Sequence, residues 1–162
     1  MPAAINKSFG VLPAILWGGL VAGTIDIGAA SMISGLSPIR IMKIVAGGLL
    51  GRSAYDGDAS IAMIGMLLQW GMSLVIAAIF VFAAHRLPAL LRRWITSGIA
   101  YGVVTYFVMN YVVVPLSALG KGTFPRFDLT QFSENMLAML LFGLIVAYFA
   151  RRFLYRGNAD SY

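Results

Sequence analysis

Long apolar runs separated by short polar and charged stretches make up most of this chain. A membrane-spanning helix needs about 20 mainly apolar residues. Four runs reach that length, at about residues 12–33, 60–84, 94–116 and 135–154. Helix-breaking or charged residues follow the first three: Gly35 and Pro38, then Arg86 and Pro88, then Gly120 and Gly122. The pattern predicts an all-α fold, a bundle of four transmembrane helices forming one integral membrane domain over residues 1–162.

The connection at about residues 34–59 is long for a bundle loop and has a pattern of its own. Ser37 is placed to cap a helix and Pro38 suits its first position. A short amphipathic helix is therefore expected at about residues 38–50, ended by Gly51. Arg40, Lys43 and Gly47 recur at helical spacing, while Ile41, Ile44, Val45 and Leu49 take the other faces. Such a helix is expected to lie in the outer membrane interface. A re-entrant loop is the alternative, and it would have to hide Arg40 and Lys43.

Composition sharpens the class. The chain is 60% hydrophobic and 11% charged, against about 25% charge in a soluble domain, which excludes a water-exposed globule. Twelve basic and six acidic residues give a net charge of +6. In a soluble chain that excess would suggest nucleic acid. Here the cations stand in clusters between apolar runs, as in the cytoplasmic loops of membrane proteins, so the expected partners are the lipid bilayer and other membrane chains or a second copy, with no nucleic acid. The absence of cysteine removes disulfides, thiolate chemistry and thiolate metal sites, and a single His85 removes histidine-rich metal clusters. No P-loop, GxSxG, HExxH or dinucleotide fingerprint occurs. Neither catalytic residues, nor a cofactor, nor a bound metal is expected.

Charge also predicts orientation. With the N-terminus inside, one face carries Lys7, Arg86, Arg92, Arg93, Arg151, Arg152 and Arg156, and the other carries Arg40, Lys43, Arg52, Lys121 and Arg126. The excess on the first face places both termini in the cytoplasm. Lys7 before an apolar run resembles a signal peptide, but the run is too long and contains Asp26, so it is expected to be retained as a span. Arg92, Arg93, Arg151 and Arg152 set topology and meet anionic lipid. Trp94, Tyr111, Phe149, Phe153 and Tyr155 fall near span ends, as in an aromatic belt. Asp56 and Asp58 precede the second span, where acidic charge suits a helix start better than a metal site.

Asp26 is the most informative residue. A carboxylate inside a span is costly, so it faces the bundle interior and often serves function. Gly19, Ala22, Gly23 and Ala30 share its face, and the Gly19-Gly23 pair permits close helix approach. Gly65, Gly98 and Gly102 are further candidates for helix packing. Counting rise from the inner boundary, Asp26 stands at about 21 Å, Gln69 at about 22 Å and Asn110 at about 24 Å, with Asn135 higher, near the outer interface. Tyr106 lies one turn from Asn110. Two readings stay open: a polar site in which Asp26 accepts a proton or binds a cation among Gln69, Tyr106 and Asn110, or interhelical hydrogen bonding alone.

Several of these segments carry a resemblance. Gly23-Thr24-Ile25-Asp26-Ile27, Ser37-Pro38-Ile39-Arg40, Ala46-Gly47-Gly48-Leu49-Leu50-Gly51, Tyr101-Gly102, Met109-Asn110 and Val114-Pro115-Leu116-Ser117 occur in order. In these the chain resembles the YagU-like bacterial inner-membrane proteins over nearly its whole length. The resemblance implies a four-helix inner-membrane fold, marks Asp26 and Asn110, and implies no activity. Gln69 stands where that family often has histidine, so a mechanism needing an imidazole there does not carry over. The combined expectation is a non-enzymatic accessory or self-associating subunit of a membrane assembly, packing through its small-residue faces and outer loops; the alternative is a small proton- or cation-coupled transporter or channel built on Asp26.

Overall fold

The computed structural model describes residues 10–120 and 128–154. Lys7, Lys121, Arg126, Arg156 and Asp160, on which part of the orientation count rests, lie outside the described residues, as do Tyr155 and most of the loop after the third span. All the regular elements among the described residues are helical. They are α1 (Val11–Ser34), α2 (Pro38–Leu50), a 3-10 turn (Arg52–Asp56), α3 (Ala59–Arg86), α4 (Ala89–Arg92), α5 (Trp94–Val108), a π-helical turn (Met109–Val113), α6 (Val114–Leu116) and α7 (Leu129–Leu154).

Among the described residues, four helical stretches are long and apolar enough to cross a membrane: Val11–Ser34, Ala59–Arg86, Trp94–Leu116 and Leu129–Leu154. The last starts six residues before the expected boundary at about 135, because Asp128 caps it by accepting the Gln131 N–H at 3.0 Å. Below, "upper" denotes the end where α1 stops and α3 starts, and "lower" the end holding α4.

Packing order follows from where the small residues fall. α7 stands between α1 and α5, and α1 joins α3 on its other side. Gly98 and Gly102 of α5 press against Gly143 of α7, where a Cβ at Gly102 would lie 2.5 Å from the Met139 carbonyl oxygen. Gly19 and Gly23 of α1 press against Leu74 and Ser73 of α3. Gly18, on a neighbouring face of α1, meets Val146 of α7. A small residue at each crossing lets backbones approach closely, the usual basis of helix association in lipid. Ala22, Ala77, Val81, Val146, Ala147 and Ala150 form the buried core between these helices.

α2 forms where the cap chemistry placed it. The Ser37 hydroxyl accepts the Arg40 N–H at 3.4 Å, Pro38 occupies the first turn, and Gly51 ends the helix at φ 77°. One side of it packs on the bundle. Met42 packs with Ile27 of α1 and Ala62 of α3, and a Cβ on Gly65 would collide with the Met42 carbonyl oxygen. Gly47, expected on the same face as Arg40 and Lys43, is buried beneath Leu119 and Tyr55. The Gly48 carbonyl accepts the Ala118 N–H at 2.8 Å, which ties α2 to the turn after α6. α2 is thus a strap across the upper half of α3, with Met42, Ala46 and Gly47 buried and Ile39, Arg40, Ile44, Leu49 and Leu50 exposed.

Candidate functional site

Asp26 and Gln69 sit in the upper half of α1 and α3. The close approach at Gly19 and Gly23 brings these two helices near enough for direct side-chain pairing. Gln69 Nε2 donates to Asp26 Oδ2 at 2.8 Å. Beside it, Trp70 Nε1 donates to Thr24 Oγ1 at 3.2 Å. Ser73, one turn further along α3, is buried where it meets Gly23. The stripe Gly65, Gln69 and Ser73 therefore faces α1 and α2 along its whole length. Ile27 and Met66, adjacent to the pair on the upper side, belong to the cluster under α2. Asp26 and Gln69 are half-buried.

The other residues expected in this layer are elsewhere. Asn110 turns back onto its own helix and donates from Nδ2 to the Tyr106 carbonyl oxygen at 3.0 Å. Tyr106 is buried, with its ring edge-on to Phe107 and Phe132. Asn135 is exposed on α7. The cause is lateral order: α7 stands between α1 and α5, so equal depth does not bring Asn110 or Tyr106 to Asp26. The polar layer reduces to one pair, Asp26 with Gln69.

The small residues marked for packing, Gly19, Ala22, Gly23, Gly65, Gly98 and Gly102, are all buried. They pack helices against one another within the chain. Arg40, Arg86, Arg92, Arg93, Arg151 and Arg152 are exposed and Lys43 is half-buried. Among the described residues no group of three or more His, Cys, Asp or Glu side chains gathers.

Two features were not anticipated from the sequence. The third long helix changes pitch at Met109–Val113, where five residues adopt π-helical geometry ahead of Pro115. Proline has no N–H for the helical ladder, and π turns inside helices recur at functional positions; Pro115 five residues after Asn110 was the available signal. The second feature is a seam. Between α3 and α5 lies an apolar groove of about 520 Å³ lined by Leu67, Gly71, Val75 and Ile79 on one side and Val104 and Val108 on the other. Within it Tyr101 Oη donates to the Ile76 carbonyl at 2.6 Å, and the Tyr101 ring meets Phe80 at 5.0 Å. A Cβ on Gly71 would have no neighbour within 4 Å.

Comparison with known proteins finds no matching family model, no matching curated protein and no matching solved structure.

Proposed function

We propose that this chain is a non-enzymatic subunit of a membrane assembly, and that the α3–α5 groove receives an apolar helix of another membrane chain or of a second copy. The observation that carries this reading is the groove itself. The crossings at Gly19, Gly23, Gly65, Gly98, Gly102 and Gly143 are closed within the chain, while Gly71, which lines the groove, would meet nothing within 4 Å of an added Cβ. Apolar side chains and one open glycine offer a helix close backbone approach, and lipid-embedded helices associate through such packing. The resemblance to YagU-like proteins supports placing the chain in a bacterial inner membrane, and the excess of basic residues on one face supports both termini in the cytoplasm.

Gentle solubilisation of native membranes, followed by purification of the tagged chain, tests the reading. A stoichiometric membrane partner or a dimer is expected. Gly71→Trp, which fills the groove without touching the closed crossings, should lose it. A wild-type monomer with no partner from any solubilised membrane would contradict the proposal.

A second reading rests on the Asp26–Gln69 bond, since a carboxylate placed inside a span commonly serves ion or proton movement. In that reading Asp26→Asn keeps the fold and abolishes cation or proton flux in proteoliposomes. Wild-type proteoliposomes showing no such flux would sink it.

A further inference from the structure

Among the described residues, the lower end carries a one-sided charge distribution. Arg86, Arg92, Arg93, Arg151 and Arg152 are all exposed there. The described acidic residues, Asp26, Asp56, Asp58, Asp128 and Glu134, all belong to the upper half. Among the described residues, no lower-end arginine therefore has a carboxylate in reach.

Trp94 links three of these arginines, two as its chain neighbours and one across its ring. Arg92 and Arg93 form the elbow between α4 and α5 and line a cleft of about 380 Å³ together with Trp94, Ile95 and Thr96. Arg151 comes from α7, a separate helix, and its guanidinium carbon lies 5.7 Å from the centre of the Trp94 ring. Trp94 is itself held edge-on by Tyr148 at 5.9 Å. A guanidinium resting on an aromatic face keeps its N–H edge free for a bidentate oxyanion. The cleft also has an apolar continuation. Ile95 lines it and, with Ile99 one turn along, is exposed on the outward side of α5.

We propose that Arg92, Arg93 and Arg151 form a binding site for the phosphodiester headgroup of an anionic phospholipid, whose acyl chain lies along Ile95 and Ile99. Charge selects the headgroup, because clustered cations at the end of membrane helices attract anionic lipid and basic pockets between helices hold phosphate headgroups. The Ile95–Ile99 stripe selects a phospholipid over free phosphate. Tryptophan in the site supplies both the platform for Arg151 and a spectroscopic probe.

The test uses the full chain in nanodiscs, with Trp17 and Trp70 replaced by Phe so that Trp94 reports alone. Brominated phosphatidylglycerol or brominated phosphatidylcholine is titrated into an unbrominated zwitterionic background. The proposal expects Trp94 quenching at lower mole fraction by the anionic lipid, with that preference falling about tenfold or more in Arg92→Gln/Arg93→Gln/Arg151→Gln. Arg152→Gln, at the same end but outside the Trp94 cluster, should retain it, and added inorganic phosphate should not compete. Equal quenching by the two lipids would overturn the proposal. So would loss of the preference in Arg152→Gln as complete as in the triple variant, or displacement by inorganic phosphate. Because glutamine keeps the helix and removes only charge, a triple variant that fails to assemble is replaced by the single Arg151→Gln, for which a partial loss is expected and no loss overturns the site.

Discussion

At the residue scale, Asp26 is held by one partner. Hydrogen bonds between membrane helices contribute modestly, averaging about 0.6 and reaching about 1.7 kcal/mol, because the unfolded helices also find partners in the bilayer. A double-mutant cycle of Asp26→Ala and Gln69→Ala, read by reversible unfolding in mixed micelles, should give a coupling within about that range. Zero coupling would mean that the 2.8 Å bond contributes nothing to the fold. Glycines separate more sharply. Gly65→Ala drives a methyl into the Met42 carbonyl, and Gly102→Ala into that of Met139, whereas Gly71→Ala meets open space. Overpacking of this kind costs about 1–3 kcal/mol, so the first two should unfold at lower denaturant and the third should match the wild type.

At the element scale, α2 is the piece whose docking is easiest to perturb. Its N-terminus depends on the Ser37 side chain and its middle on Met42 against Gly65. Ser37→Ala should cost about 1 kcal/mol, and hydrogen exchange should show faster amides in α2 while α7 keeps its protection. Unchanged α2 exchange would show that docking on α3 alone holds the helix.

The four spans and α2 were legible because hydropathy, proline position and capping act locally. The meeting of Asp26 with Gln69 was legible as a matter of depth. The separation of Asn110 and Tyr106 from them was not, because depth along an axis carries no information about which helix stands beside which. That order comes from the close crossings of α7 with α1 and α5, and three of the residues making them, Gly18, Gly143 and Ala147, lie on faces the apolar pattern does not distinguish. The π turn escaped for a related reason: it is a local response to Pro115 within a uniformly apolar run.

At the scale of the whole molecule, the surface decides the setting. Leu67, Val75, Ile79, Phe107, Val108, Leu137 and Leu141 are large, apolar and exposed, an arrangement that water would not tolerate over so much area. That surface suits lipid, and the α3–α5 groove interrupts it. The most direct test places a photoreactive side chain at Val75, on the groove wall, and separately at Met32, exposed on α1, and irradiates native membranes. The account predicts a discrete protein adduct, heteromeric or dimeric, from Val75 and none from Met32. Lipid adducts alone at both positions would contradict it.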